Sequence, residues 1–250
     1  MNLVRAFLLL SLCIAPVFAN ANDAMRLTTT IGAFGIIVPQ FEGSARYRHF
    51  LIPTIDMQYG PAFISMLRGM GVSLSANESR TLIVTPSVHV RRKRDLSTDF
   101  GIGNDAASIR PTANLELMYI FAPGWVLTTR ITEGMVSDNF GVVVNSGVRW
   151  GTRITDDIIF SAFGGIAFAN KRYNQSYFGI NSSESVRYGL LPYSVGSGLK
   201  NISIGSHVRY ALTESWSADL MVRAHRLVIS SPLIEQRNQV IIGTGVSYRF

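Results

Sequence analysis

The sequence has little cysteine and little charge. Of its 250 residues one is cysteine, and only 16% are Asp, Glu, Lys or Arg, compared with roughly 25% in soluble domains. One cysteine cannot form a disulfide within the chain. The shortage of charge, together with 22 glycines and 10% aromatic residues, argues against a helical soluble protein. It favours a β-rich chain whose surface needs few charges.

Long apolar runs are absent except at the N-terminus. There, an apolar run over Ala6–Val17 leads to the small residues Ala19–Ala21. This pattern predicts a secretory signal peptide over residues 1–21, which contains the cysteine and is cleaved after one of the two alanines. The remaining residues, 22–250, contain no apolar run of the roughly 18 residues that a transmembrane helix needs. A membrane-spanning helix is therefore excluded, and residues 22–250 are expected to form one domain.

Motifs that would indicate chemistry are also lacking. The chain has neither a zinc-binding His-Glu-x-x-His pattern nor a phosphate-binding Walker loop, so we predict no metal and no cofactor. The best candidate for a hydrolytic set lies on one face of two neighbouring predicted strands. Its members are His207, His225, Asp219 and Ser203. A catalytic set needs hydrogen-bond contact between its members, whereas His225 and Ser203 are expected at the far strand ends. We predict charge pairing there and no enzyme.

The net charge of +7 raises the question of a nucleic-acid partner. The arginines are scattered, about one per predicted strand, and the one dense run, Arg91–Arg94, lies at a strand end. A secreted chain meets little nucleic acid, so we expect none as a partner. The run is interpreted as a solvated loop that contacts anionic lipid headgroups.

The dominant pattern is an alternation of apolar residues with small or polar ones, which is the period of a β-strand. Counted back from the end, Phe250, Tyr248 and Val246 share one apolar face, and the opposite face holds Gly, Ser and Arg. We expect these three residues to form the C-terminal signal for barrel assembly. The same alternation in most other segments indicates an all-β protein.

The composition of the polar faces predicts the architecture. They carry Gly, Ser, Asn and single charges with hardly any Lys, whereas the solvent face of a soluble sandwich would carry many Lys and Glu. This indicates a transmembrane antiparallel β-barrel of the bacterial outer membrane, with apolar side chains toward lipid and polar ones toward the lumen. Backbone groups in hydrocarbon must be paired, so the last strand has to pair with the first. The residues expected to line the lumen and pair across it are Glu116, Arg130, Arg149, His207, Arg209, Asp219 and Arg223.

Eleven strand-like segments are visible, whereas single-chain bacterial barrels have an even number of strands. We therefore predict twelve strands, with ten as the alternative. Short turns should face the periplasm and long loops the outside. Alternating backwards from Phe250 places the Tyr59–Ala62 turn outside, so either a strand is missing before Tyr59 or one N-terminal segment is not a spanning strand.

Several stretches together resemble the MipA/OmpV family, the MltA-interacting outer-membrane proteins. The resemblance covers nearly all of residues 22–250, and its Tyr-Phe-Gly and Ser-Pro elements are fairly specific. In the first stretch Phe41 stands where the family has Tyr; in the second, Ile180 replaces Val; and Arg91-Arg92 replaces a Gly-Arg pair. The stretches are Pro39–Gly60, Lys171–Asn181, Gly196–Trp216, Arg226–Gln239 and the closing Gly-Val-Ser-Tyr-Arg-Phe.

The resemblance implies an outer-membrane barrel whose partners, besides lipid, are a lytic transglycosylase and a murein synthase. The expected function is a non-enzymatic scaffold in murein (peptidoglycan) synthesis and remodelling, with a small porin or an adhesin as alternatives. The segment Lys171–Gly198 is long for a loop, which favours a function for it. Within it, Tyr177, Phe178 and Gly179 are the candidate interaction surface; the alternative is that an aromatic ring plugs the barrel rim and the glycine forms a turn.

Overall fold

Antiparallel β-strands in a single sheet make up the computed structural model, which describes residues 26–92, 109–135 and 141–250. The predicted signal peptide lies outside these residues. Two of the strands, β4 and β5, are halves of one interrupted strand, so the described strands form a closed barrel of twelve, as predicted. The strands are β1 Leu27–Pro39, β2 Tyr47–Tyr59, β3 Ala62–Ser65, β4 Gly69–Val72, β5 Leu74–Ser75, β6 Leu82–Arg92, β7 Ile109–Ala122, β8 Trp125–Gly134, β9 Val142–Arg153, β10 Ile158–Ala169, β11 Gly198–Ala211, β12 Trp216–Leu227 and β13 Asn238–Arg249.

The barrel closes where the last strand meets the first, as backbone pairing in hydrocarbon requires. Strand β13 pairs with β1 from Thr30 opposite Arg249 to Ile37 opposite Ile242. The final residue is held too, because the Phe250 amide donates to the carbonyl of Thr29 at 3.0 Å. The predicted pairing of the last strand with the first is confirmed.

Alternation sets which side chains face lipid. Leu51 is 70% exposed and Ile204 65% exposed on the outer face, while the residues between outward positions are buried or half-buried. Aromatic rings gather at the short-turn end of this outer surface. There Trp125 lies 6.3 Å from Trp150, measured between ring centroids. Such a girdle is typical of the membrane interface of outer-membrane barrels.

The missing strand lies within residues 62–76. The prediction that it lies before Tyr59 was therefore wrong. These residues form two short passes, β3 and β4, joined by a tight turn at Met66–Arg68. Each pass of four residues is too short to show its own alternation. Gly69 makes the return with φ of 86°, a conformation that favours glycine. The Gly60-Pro61 turn consequently lies at the same end as the other short turns.

The longer connections among the described residues lie at the opposite, outer end of the barrel. One of them contains two helices, α1 Lys171–Phe178 and α2 Ser182–Tyr188. Asn170 and Asn181 cap them, each accepting a hydrogen bond from an amide of the first turn, as N-cap residues do. Neither helix, nor any other among the described residues, has the length and apolar character to cross a membrane.

The lumen is less uniformly polar than predicted. Strands β1 and β2 turn apolar side chains inward, where they meet side chains from the β3–β4 turn and from β12 and β13. The expectation of a small, polar interior therefore fails on this side of the barrel. The buried members of this apolar cluster are Phe34, Ile36, Val38, Ile52, Leu67, Met221 and Ile241.

Candidate functional site

The predicted lumen residues occupy the inner faces of two parts of the wall, strands β7–β9 and strands β11–β12. Glu116 on β7 faces Arg130 on the neighbouring β8, and Nε of Arg130 donates to Oε2 of Glu116 at 2.8 Å. Both side chains are largely buried. Arg149 lies on the inner face of β9, opposite Val126. Strand pairing thus brings one predicted ion pair together and keeps Arg149 on a different strand.

Asp219 on β12 is the centre of a second charged group. Its Oδ1 accepts from Nε2 of His207 at 2.8 Å and from Nε of Arg209 at 2.9 Å. Both donors project from β11, two residues apart and therefore on the same face. Asp219 is only 7% exposed, so the two donors supply what water no longer can.

The candidate hydrolytic set does not assemble. The hydroxyl of Ser203 contacts the carbonyl of Gly165 and Nη2 of Arg223, each at 3.4–3.5 Å. Nε2 of His225 pairs with Oε1 of Gln239 at 3.0 Å, whereas His207 pairs with Asp219. Among the described residues, no group of three His, Cys, Asp or Glu side chains could hold a metal ion.

A buried salt bridge between Glu42 and Lys200, which the sequence did not predict, lies at the outer end. We call it the outer latch. Glu42, in the β1–β2 loop, accepts from Nζ of Lys200 at 2.9 and 3.0 Å and from Nδ2 of Asn201 at 3.1 Å. Burial by itself would raise the pKa of Glu42, but the charges of Lys200 and His225 and the hydrogen bonds outweigh it. The net effect lowers the pKa below its ordinary value. Glu42 therefore stays ionised and ties the loop to β11.

A β-bulge explains why Lys200 could not be found from alternation. The β10–β11 register passes from Asn201 directly to Leu199, so Lys200 is the extra residue. A bulge re-aims one side chain out of the alternating pattern, and here Lys200 turns inward beside Asn201, both of them buried.

The neighbouring residues of the same loop are held by β13 and by the β12–β13 loop. The amide of Gly43 donates to Oε1 of Gln239 at 3.1 Å, and Nε2 of Gln239 donates to the carbonyl of Ser44 at 2.8 Å. The carboxylate of Glu235 accepts from the amide of Ala45 at 2.9 Å. Gly43 has φ of 104°, a conformation that favours glycine in the turn.

The segment expected to form an interaction surface packs largely inward. The side chain of Phe178 is buried against Val195 and Leu227. Tyr177 stacks on Tyr173 with ring centroids 4.5 Å apart. The amide of Gly179 donates within the α1 helix, to the carbonyl of Gln175.

The three C-terminal residues lie on the lipid-facing side at the short-turn end. Val246 and Phe250 are exposed there. Tyr248 contacts the rings of Phe250 and Trp216 edge to face, with centroids 4.8 and 5.1 Å away. Tyr248 and Phe250 therefore belong to the aromatic girdle.

A closed antiparallel barrel with an apolar outer face, an aromatic girdle and loops at one end defines an integral protein of the bacterial outer membrane. The family model described as "MltA-interacting protein MipA" matches residues 31–250. The chain belongs to this family, as the sequence resemblance had indicated.

Similarity to other proteins is more distant. Outer membrane protein Omp26La of Vibrio anguillarum is 29% identical over 91 residues, which are 35% of this chain and 35% of that protein. The chain thus aligns with about a third of the length of this relative. Among solved structures, the NanC porin is 8% identical with a TM-score of 0.44, covering 89% of this chain and 99% of the porin. The KdgM porin is 10% identical with the same score, covering 88% and 99%.

Proposed function

We propose that this protein is a non-enzymatic scaffold of the outer membrane that binds murein-remodelling enzymes from the periplasmic side. The partners we propose are a lytic transglycosylase and, through the assembled complex, a murein synthase. The description of the family as MltA-interacting supports the first of these partners. The periplasmic turns are the part of the barrel that such an enzyme could reach.

The observation that carries the proposal is that packed and hydrogen-bonded side chains project into the lumen from several strands. The apolar cluster around Phe34 occupies part of it, and the Asp219 group projects into it from the neighbouring strands β11 and β12. At the outer end Glu42 and its partners hold a loop across the opening. A twelve-stranded barrel has limited interior space, and side chains that fill it leave little room for a solute path. This favours a structural function over transport.

The periplasmic surface offers a patch suited to a protein partner. The β9–β10 and β11–β12 turns lie side by side, since the amide of Ala211 donates to the carbonyl of Asp157 at 2.8 Å. Ile154 is 61% exposed on the first turn and has exposed Asp156 beside it, while Glu214 is exposed on the second. An exposed apolar residue rimmed by charge is typical of interaction sites.

The test is capture of a lytic transglycosylase by the purified barrel in detergent. We expect Ile154→Asp to reduce the captured enzyme by about tenfold, as loss of an interface anchor does. Leu191→Asp is the matched control, because Leu191 is 85% exposed at the outer end, and it should capture as much as the wild type. Equal capture by Ile154→Asp, or equal loss in both variants, would contradict periplasmic docking.

A small porin remains the alternative, and the arginines on the inner faces are the feature that favours it. Planar-bilayer recordings separate the two functions. A scaffold with a filled lumen should give no steady single-channel conductance. Conductance that changes on replacing Arg149 or Arg209 would establish the porin and overturn the scaffold.

A further inference from the structure

Within residues 26–92, 109–135 and 141–250, the barrel wall is incomplete on one side, because the β3–β4 hairpin is much shorter than its neighbours. Strand β2 pairs with β3 only from Asp56 to Tyr59, and one further hydrogen bond joins the Met66 amide to the carbonyl of Ile55. Above this point, residues 47–54 of β2 have no partner on that side among the described residues.

The opposite border of this opening is the upper end of β6. Met70 on β4 pairs with Val88, and the carbonyl of Met66 lies 3.4 Å from Nε2 of His89. Beyond His89, β6 continues without a described partner on its β4 side. We call the opening between residues 47–54 and the end of β6 the wall gap. Pro53 lies on its border, and proline in a sheet is confined to such edges.

A basic cavity lies directly behind the wall gap. It is lined by Leu67 and Arg68 of the hairpin turn, His89 and Arg91 of β6, and Arg130 of β8, together with small polar side chains. Two of its arginines already have carboxylate partners: Arg68 pairs with Asp56 at 3.2 Å, and Arg130 pairs with Glu116. Neither carboxylate lines the cavity, so the cavity surface is cationic.

The arrangement of Arg91 points to a missing anion. Arg91 lies directly opposite Arg110 on the paired strand β7, and both side chains point inward. Nη1 of Arg91 is buried and has no hydrogen-bond partner among the described residues, although a buried donor normally has one. An oxyanion in the cavity would accept a hydrogen bond from this donor.

We propose that this cavity binds the phosphate group of a membrane lipid that enters through the wall gap. Guanidinium groups suit phosphate because they donate two parallel hydrogen bonds to it. The lipid is favoured over free phosphate because the gap opens toward the outer leaflet. There the exposed side chains of Leu51 and Ile55 can contact acyl chains. This site does not depend on the proposed scaffold function.

The test compares three probes on the purified barrel in detergent: short-chain phosphatidic acid, diacylglycerol of the same chains, and inorganic phosphate. Bound lipid is counted by native mass spectrometry, and the thermal unfolding midpoint is measured beside it. We expect phosphatidic acid to bind and raise the midpoint. Diacylglycerol should do neither, and inorganic phosphate should bind much more weakly.

Arg91→Gln is the decisive variant. It should weaken phosphatidic acid binding by about tenfold, since it removes a charge-assisted donor. Without lipid it should be at least as stable as the wild type, because a buried donor without a partner is gone. A merely structural arginine would not give this combination. Arg91→Lys should lose an intermediate amount, because the charge stays and the two-pronged geometry is lost.

Arg149→Gln is the matched control, since this arginine also faces the lumen but does not line the cavity. It should bind phosphatidic acid as the wild type does. Unchanged binding by Arg91→Gln, or equal binding of diacylglycerol, would overturn the phosphate site. Inorganic phosphate that binds as tightly as phosphatidic acid would overturn the lipid as its source.

Discussion

Two neighbouring parts of the lumen wall use the same alternating pattern for different kinds of contact. On β1 and β2, inward positions hold apolar residues such as Phe34 and Ile52, which pack together. On β11 and β12, inward positions hold His207, Arg209 and Asp219, which form hydrogen-bonded ion pairs. Alternation fixes only which residues point inward. Their chemistry decides whether packing or charge pairing stabilises that side.

Glycines on β13 leave room for the ring of Phe34 in the apolar cluster. A Cβ atom at Gly243 or at Gly245 would lie 2.3 Å from a ring atom of Phe34. The ring therefore lies flat against strand backbone that any larger residue would cover. Close packing of this kind is sensitive to the loss of even a few atoms.

The largest expected effect comes from creating a cavity in the apolar cluster around Phe34. Phe34→Ala should lower the free energy of unfolding by about 3–5 kcal/mol, because it removes a buried ring and leaves a cavity. Urea unfolding of the barrel in lipid vesicles, followed by tryptophan fluorescence, measures this. Leu51→Ala on the lipid face is the comparison, and it should cost less since lipid tails fill the space. Equal losses would show that the inner cluster is not a packed core.

A smaller effect should follow from breaking the ion pairs of Asp219 on strands β11 and β12. Asp219→Asn should cost about 2 kcal/mol, because it leaves His207 and Arg209 without their charged partner. The cost stays below the 3–5 kcal/mol typical of fully buried pairs since the Arg209 side chain is 37% exposed. Arg209→Met serves in a double-mutant cycle. Additive losses in the double variant would mean that the pair contributes no coupling energy.

The smallest expected effect is a pH dependence of the contacts that Glu42 makes at the outer end. The apolar cluster should show no such dependence. The pKa of Glu42 is lowered in the closed loop, relative to an ordinary value of 4.5. The open loop therefore binds a proton at higher pH than the closed loop. The stabilisation is present above the ordinary pKa, and it is lost as pH falls through the lowered one.

Hydrogen exchange of the Gly43 and Ala45 amides at neutral pH and below about pH 4 reports this opening. We expect faster opening on acidification in the wild type, after correction for the intrinsic exchange rate. Glu42→Gln should open readily at both pH values. An opening equilibrium in the wild type that does not change with pH would exclude Glu42 as the latch.

Several parts of the structure could be predicted from single residues and their spacing. Tyr248 and Phe250 indicated a terminal strand facing lipid, and the count of twelve strands was confirmed. Other parts depended on contacts between distant residues. From its sequence alone, Phe34 could lie on either face of its strand. Its inward position is explained only by the space beside Gly243 and Gly245, where its ring lies. Lys200 faces inward only because the register slips by one residue beside it.

The sequence by itself determined an outer-membrane barrel, its apolar outer face and its membership of the MipA family, because a period of two residues and short motifs are local properties. Only the tertiary structure decided that residues 62–76 fold back on themselves below an incomplete wall. It alone placed Arg91 against Arg110 beside a cavity, and Glu42 against Lys200 across 158 positions of sequence. The physical reason is that strand register and cross-strand neighbours are set by pairing between distant segments, which no local pattern records.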